Sequence, residues 1–326
     1  MEIGKLPNKI LEDIVISTIK NRRDEVVERS AIGKDCAIVD YGDKYCVLSS
    51  DPITGAEKNL GKIAVYVASN DIAAGGAEPI ALLITILAPP TTGQDTIKKI
   101  MSDANEACCR LNVEIVGGHT EITNAVNRIV LSMTAVGIKD KGPIQLPAEK
   151  GDFVLMTKYA GMEGSAIIAE EKEKKLLQCG ISQVDLNTAK NYIDSLSVVK
   201  EGMICSQIGI KYMHDITEGG IEGAVWEASM AIGFGIRVNE DSIPVSNVTR
   251  KICNCFSINH NRLISSGSML IICHPDKYDR IKDELTSNHI LVTKIGEVTG
   301  RDVYFENAGR SRQIDEPASD ELYKVI

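Results

Sequence analysis

The chain has 326 residues, 44% of them hydrophobic and 25% charged, which is the make-up of a soluble globular protein with more length than one ordinary core accommodates. Its formal net charge of -9 argues against a broad electrostatic grip on nucleic acid or on an anionic membrane surface. The acidic, amphipathic opening MEIGKLPNKILEDIV lacks a leader's apolar core, and the longest apolar run, Ile80 to Ala88, is far short of the ~20 residues that cross a bilayer, so a cytoplasmic address is expected.

Along the chain, Tyr45 to Ser50 predicts a strand that runs into Asp51-Pro52. Ile63 to Ala74 has helical composition, and Ile80 to Leu87 is a β-branched apolar run of the buried-strand type. Ile97, Ile100, Met101, Ala104, Ala107, Cys108 and Leu111 follow the i, i+3, i+4, i+7 rhythm of an amphipathic helix. Val113 to Val116 predicts a short strand ending in Gly117-Gly118, and Arg128 to Ile138 another. Residues 139–151 break into glycine, proline and charge, which marks a domain junction. Beyond it come a strand at Phe153 to Thr157, a helix after Gly164 and a charged, helix-prone stretch over 171–195. A phased helix follows Gly219-Gly220, and Ser268 to Cys273 and Ile290 to Val298 read as strands. The pattern is that of two successive α+β domains, divided as 1–145 and 146–326. The nine cysteines show no C-x-x-C spacing, and buried or idle thiols are expected rather than zinc or a disulfide framework.

Acidic residues recur beside glycines and at strand ends: Gly33-Lys34-Asp35-Cys36-Ala37, Ser49-Ser50-Asp51-Pro52, Asn70-Asp71-Ile72-Ala73 and Gly117-Gly118-His119-Thr120-Glu121. Magnesium takes oxygen ligands and bridges carboxylates to phosphates, while glycines let backbone amides approach phosphate closely. Each motif alone is ordinary turn chemistry; their accumulation in one half of the chain points to a metal–phosphate site. In the second half, His214-Asp215-Ile216-Thr217-Glu218-Gly219-Gly220 precedes the phased helix, and Gly161-Met162-Glu163-Gly164 has the same strand–loop–helix form. Both read equally as helix caps or as anion sites at a helix N-terminus.

In this order the motifs resemble those of the aminoimidazole-ribonucleotide synthetase (PurM-like) superfamily, over residues from about 4 to 300. The opening Gly4-Lys5-Leu6-Pro7 and the Met213-His214-Asp215 approach to Thr217 are most similar to its HypE-type, hydrogenase-maturation members. The resemblance implies an N-terminal ferredoxin-like α/β domain that dimerises into a barrel, and a C-terminal α+β domain beside it. It implies ATP and Mg2+ as cofactors, phosphoryl transfer to an acceptor oxygen, a homodimer, a small or peptide-borne acceptor and a maturation partner protein. Asp35, Asp51, Asp71, His119 and Glu121 are the implied metal ligands. Asp35, Asp51, Asn70, Asp71, Gly117, Gly118, Thr120, Gly219 and Gly220 are the implied nucleotide contacts, and Asp71, His119 and Asp215 the implied catalytic residues.

The sequence departs from the pattern twice. It ends DELYKVI, without the terminal cysteine of HypE-type proteins, so thiocyanate formation there is not expected. His119 stands where such members carry aspartate, and imidazole is a poorer magnesium ligand. A nucleotide-binding scaffold or sensor, and a small kinase of the thiamine-phosphate-kinase type, are the alternative readings.

Overall fold

The computed structural model describes residues 4–54, 56, 58–142, 146–317 and 319–326. The first half contains β1 (Val26–Glu28), β2 (Ala37–Asp40), β3 (Lys44–Ile53), α1 (Leu60–Ala74), β4 (Glu78–Ala88), α2 (Gln94–Leu111), β5 (Glu114–Ile122) and β6 (Val130–Asp140). Its strands form one sheet in the order β1-β2-β3-β6-β4-β5, antiparallel except for the parallel β4/β5 pair. Strand alternation separates two faces. Leu82, Ile84, Ile86, Leu131, Met133 and Ala135 are buried against the helices, whereas Leu83 on the other face is 41% exposed.

Helix α2 lies on the inner side of this sheet as its apolar rhythm predicts, burying Ile100, Ala104, Ala107 and Cys108. It stops at Asn112, whose left-handed backbone (φ 56°) turns its N–H onto the carbonyl of Cys108. Helix α1 is different. It is buried nearly all round, Ser69, Asn70 and Asp71 included, because it packs on β3 and β6 on one side and on the second half of the chain on the other.

The second half contains β7 (Phe153–Thr157), α3 (Met162–Glu171), α4 (Glu173–Gln178), α5 (Gln183–Lys190), α6 (Val199–Ile208), β8 (Tyr212–Asp215), α7 (Gly220–Ile232), β9 (Ile236–Asn239), α8 (Asn247–Phe256), β10 (Met269–Cys273), α9 (Tyr278–Ser287), β11 (Val292–Val298), β12 (Tyr304–Asn307) and β13 (Arg310–Gln313). Its sheet has the order β13-β12-β9-β11-β7-β10-β8. One apolar cluster joins the halves: Val47 and Ile63 share it with Ile167, Leu263 and Leu322. The mixed α+β architecture matches the expected class. Residues 143–145, at the centre of the expected junction, lie outside the described residues.

Two expectations are corrected. Gly117-Gly118 does not follow a strand but lies inside β5. There Gly118 (φ +144°) passes so close to β4 that a Cβ would sit 1.8 Å from the Ile84 carbonyl oxygen, so the close approach this glycine permits is to a neighbouring strand. Cys179, at the end of α4, and Cys255 of α8 are joined in a disulfide with Cα atoms 6.0 Å apart. Partners this far apart in sequence carry no spacing signal. The other seven cysteines are free, and Cys253 of the Cys253-x-Cys255 pair is buried.

Candidate nucleotide and metal site

The site begins at the far end of β3. Ser49 and Asp51 are two residues apart and so share the inner face, towards α1. Ser49 Oγ stands 2.5 Å from Asp71 Oδ2 in the last turn of α1 and 3.2 Å from Asp51 Oδ2. One hydroxyl thus links two carboxylates. Burial, the charge of Asp215 and the neighbouring Asp51 push the Asp71 carboxyl well above its ordinary range.

The second half contributes through β8. His214 is buried, and its Nδ1 donates to Asp35 Oδ2 (2.7 Å) while its Nε2 donates to Glu227 Oε2 on α7 (2.9 Å). Burial alone would lower the His214 pKa; the charge of Asp35 and hydrogen bonds to both carboxylates outweigh it and raise the pKa well above normal. The ring is therefore an imidazolium clamped between the halves, and it holds Asp35 ionised with a lowered pKa against the cost of burial. Gly33 permits this docking, since a Cβ there would lie 2.5 Å from the Glu227 carbonyl oxygen.

The next residue, Asp215, points to the opposite face of β8. It is fully buried, and neither carboxylate oxygen has a hydrogen-bond partner. Burial and the charge of Asp35 push its pKa up to about 7, against His214 and Lys5. Asp35, His214 and Asp215 offer ligand atoms within 4.8 Å of one another. Both nitrogens of His214 are already engaged, which leaves the carboxylates as metal ligands.

A cavity of about 620 Å³ adjoins these groups, lined by Lys5, Lys34, Asp35, Asp51 and Asp71, and by Glu163, Thr217, Glu218, Ser266, Asp320 and Tyr323 from the second half. Lys5 is anchored by its own N–H to Glu218 Oε1 (3.1 Å). Burial works against its charge, but Glu227, Asp35, Glu218 and Asp51 raise its pKa.

Several expected contacts are not brought to this cavity. Asn70 is fully buried, donating to the Leu196 carbonyl (2.8 Å) and accepting from the Val198 amide (2.7 Å). It ties α1 to the second half and does not line the cavity. The α7 N-terminus already holds an anion of the chain itself: the Gly219 amide donates to Asp320 Oδ2 (2.7 Å), and the Gly220 amide to the Thr217 carbonyl. Burial pushes the Asp320 carboxyl up to about 6, opposed by the amides of Leu322, Gly219 and Ile264.

The largest departure concerns β5. The register runs Asp51–Met133–Ile84–Gly118 across β3, β6, β4 and β5, which puts Gly118 about 14 Å from Asp51 at normal strand spacing. His119 and Glu121 pair with Thr85 and Leu87 on the outer face. They are exposed and 3.4 Å from each other. Gly117, Thr120 and these two residues are therefore on an open edge strand, outside the cavity of their own chain.

Other participants left weaker traces in the sequence. Ser49 and His214 sat inside recognised motifs without a role. Lys5 could be guessed only from its glycine-lysine-leucine-proline setting, and Glu227 and Asp320 had no local signal, being placed by tertiary contacts alone.

Comparison with known proteins identifies the family and the fold. The chain is 25% identical over 341 residues to a putative hydrogenase expression/formation protein of Methanocaldococcus jannaschii, covering 99% of this chain and 97% of that protein. It is 24% identical to carbamoyl dehydratase HypE of Escherichia coli, over 79% of this chain and 75% of the relative. It is 26% identical to thiamine-monophosphate kinase of Pyrococcus horikoshii, over 70% and 72%. Among solved structures, that of a HypE-HypF complex superposes with a TM-score of 0.77 at 22% identity, covering 94% of this chain and 99% of that one. HypE in complex with ATP superposes with a TM-score of 0.72 at 18% identity, over 98% and 96%. The family model of the AIR synthase related protein N-terminal domain matches residues 33–139 and that of the C-terminal domain residues 149–306, and the chain belongs to the AIR synthase related protein family.

Proposed function

We propose that this chain binds ATP with magnesium in the cleft between its halves and transfers the γ-phosphoryl group to an oxygen of a small or peptide-borne acceptor: an amide, carboxamide or phosphate-type oxygen. The observation that carries this reading is the carboxylate constellation. Asp51 and Asp71 share one hydroxyl, and Asp215, whose charge bears on Asp71, keeps both oxygens unpartnered. The relatives named above, a carbamoyl dehydratase and a kinase, and the ATP-bound relative structure support it.

Magnesium fits the residues present. The available donors are oxygens, the unpartnered atoms of Asp215 call for a cation, and burial together with neighbouring carboxylates raises the pKa of both Asp71 and Asp215. Asp35, Asp51 and Asp71 are its proposed ligands, with Asp215 adjoining them. Bound there, the metal supplies neutralisation of phosphate charge.

Around it, Lys5 pairs with a phosphate oxygen, and His214 holds Asp35 in place. Asp215, which adjoins the ligands and keeps both oxygens unpartnered, takes up the proton that the acceptor releases. As the transfer proceeds, the bond from the acceptor oxygen to the γ-phosphorus forms while the bond to the β-phosphate bridging oxygen breaks, and ADP leaves.

The outer face of the first sheet, with Leu83 and Val116 exposed, is the proposed homodimer surface. Gly117, Gly118, His119, Thr120 and Glu121 then reach a nucleotide only across such a dimer. The division at 145/146, a cytoplasmic setting and a maturation partner protein belong to the same proposal. Among the described residues no helix is long and apolar enough to cross a membrane.

Thermal unfolding with and without MgATP, followed by ADP release, tests the reading. A ligand at a hundredfold excess over its Kd stabilises the native state by about 2.7 kcal/mol. That gain is expected in wild type and absent in Asp71→Asn. Equal gains in both would remove the carboxylate cluster from the site, and binding without turnover would favour a scaffold.

A further inference from the structure

The Cys179–Cys255 bond takes no part in the chemistry proposed above, yet both helices that it joins pack on a wall of the cavity. Helix α3 lines the cavity with Ile167, and the segment before β10 lines it with Ile264 and Ser266. Helix α8 packs on α3 and leads into that segment. Its fully buried Thr249 Oγ1 accepts from Ser165 Oγ of α3 and from Ser246 Oγ, each at 3.0 Å. Beyond α8 the chain turns through Ser257 (φ 55°), and the Ile264 amide donates to Asp320 Oδ1 (3.2 Å). Cys255 stands in the last turn of α8, and Cys179 closes α4, the short helix directly after α3. Only Leu176 of α4 is buried, and α4 packs on α3 and α5. The bond therefore ties the ends of α4 and α8 together while both lean on α3.

The bond is reachable from solution on the Cys179 side. Cys179 is exposed and Cys255 half-buried, whereas Cys36, Cys108, Cys205, Cys253 and Cys273 are buried. Exposed disulfides are the labile ones, while buried thiols stay inert. In the cytoplasmic setting proposed above, glutathione keeps thiols reduced, and a disulfide found there is usually transient and redox-sensing. Lys175 and Lys251 each stand one turn before their cysteine and share its helix face. Lys251 is also paired with Asp185 Oδ2 (2.7 Å). Ammonium groups beside the bond favour the approach of an anionic thiol.

We propose that Cys179–Cys255 is a reversible thiol–disulfide site, reduced by glutathione-class thiols, whose state sets how firmly α3 and the segment before β10 hold the cavity wall; what that cavity binds rests on the phosphoryl-transfer reading above. A glutathione thiolate attacks the sulfur of Cys179, the more exposed residue of the pair. The Cys179–glutathione bond forms as the Cys179–Cys255 bond breaks, and Cys255 leaves as a thiolate that takes a proton from water. A second glutathione thiolate attacks the glutathione sulfur of this mixed disulfide. Cys179 leaves and is protonated, and oxidised glutathione departs. Two electrons have passed from two glutathione thiols to the bond, and oxidised glutathione runs the same steps backward. In the reduced form α4 keeps a single buried side chain and α8 holds its place by packing and hydrogen bonds alone. The wall is then less ordered, and a ligand that fills the cavity must itself supply that order.

The test equilibrates the full chain in buffers of reduced and oxidised glutathione and reads the bond by alkylation and mass spectrometry. The bond is expected to form with oxidised glutathione and to open where reduced glutathione predominates. A bond that survives a large excess of reduced glutathione is a permanent staple and overturns the proposal, as does a bond that never forms. Given oxidised glutathione, Cys255→Ser should carry glutathione on Cys179, while Cys179→Ser should carry little on Cys255; the opposite order would contradict attack at Cys179. Hydrogen exchange is then compared between the oxidised and reduced wild-type forms. Reduction should speed exchange of the amides of α8 and of residues 257–266 by about tenfold or more, and equal exchange would separate the bond from the cavity wall and overturn the proposal. The thermal gain from MgATP is recorded on the same two forms, where reduction should weaken apparent binding by about fivefold or more; a gain of equal size in both forms counts against the proposal. Absence of any gain in both forms refutes the nucleotide reading independently, since the titration and the exchange rates decide the thiol–disulfide site without it.

Discussion

Replacing Asp215 by Asn keeps the side chain's shape and removes its capacity for charge, at a position where neither oxygen has a partner. Burial and the charge of Asp35 lift this carboxyl from an ordinary 3.8 to about 7. A raised acid pKa means that the native state holds a proton the unfolded chain has already released. Stability is therefore undiminished below the unfolded value and is lost as pH rises from about 4 through about 7. A shift of roughly three pK units corresponds to a charge-burial cost on the order of 4 kcal/mol once Asp215 is ionised. Asn also lacks a partner there, so the comparison isolates charge from hydrogen bonding. In urea unfolding without magnesium, Asp215→Asn is expected to be more stable than wild type at pH 8 by that order, with the difference shrinking toward nothing near pH 4. Magnesium should then stabilise wild type at pH 8 more than it stabilises the variant. A pH-independent difference, or equal magnesium responses, would refute the assignment of Asp215 to a cation-requiring cluster.

Two further outcomes follow from features away from the carboxylates. The Cys179–Cys255 link closes a loop of separation 76, for which chain entropy gives up to about 4 kcal/mol. Urea midpoints should fall on reduction in wild type and show no response to reductant in Cys179→Ser. Leu83→Lys places a charge on the open face of the first sheet; sedimentation equilibrium should show a dimer in wild type and a monomer in the variant, and a wild-type monomer would remove that face as a dimer surface.

Elements with strong local signals were legible in the sequence. The strand predicted at Phe153 to Thr157 is β7 to the residue, and the helix predicted from Ile97 to Leu111 is α2 with a few more residues in its first turn. Short strands such as β1, β2, β12 and β13 were not legible, because three or four residues carry too little periodicity. The same divide runs through the site. Asp35, Asp51 and Asp71, which turn glycines and strand ends mark locally, line one cavity. Asn70, inside the same motif as Asp71, was given to a nucleotide, yet its amide is spent on Leu196 and Val198. Only the packing of α1 against the second half shows this. His119 and Glu121 were grouped with the aspartates by their motif, and the pairing of β5 with β4 turns them to the other face. The glycines ahead of α7 did mark an anion site, but its occupant is Asp320, about a hundred residues further on.

The balance of charge at the cleft is the ground for proposing metal and nucleotide there together. The cations lining it are Lys5 and Lys34; Lys34 is paired with Glu28, and the imidazolium of His214 is buried behind Asp35. His214 is committed on both nitrogens, to Asp35 and Glu227. Lys5 is surrounded by Glu227, Asp35, Glu218 and Asp51. Asp51, Asp71 and Asp215 therefore gather with no cation of their own; burial and the neighbouring carboxylates raise the Asp71 carboxyl well above its ordinary range and that of Asp215 to about 7. A polyphosphate entering alone adds like charge to a site that already carries an excess. A divalent cation reverses the sign of that interaction: it releases the protons, ionises the carboxylates and gives the phosphates something to bind. The magnesium dependence expected of the ATP-induced stabilisation is thus a consequence of where the chain has placed its own charges. The imidazolium across the two halves makes the same arrangement depend on their being docked, since separating them strips Asp35 of His214.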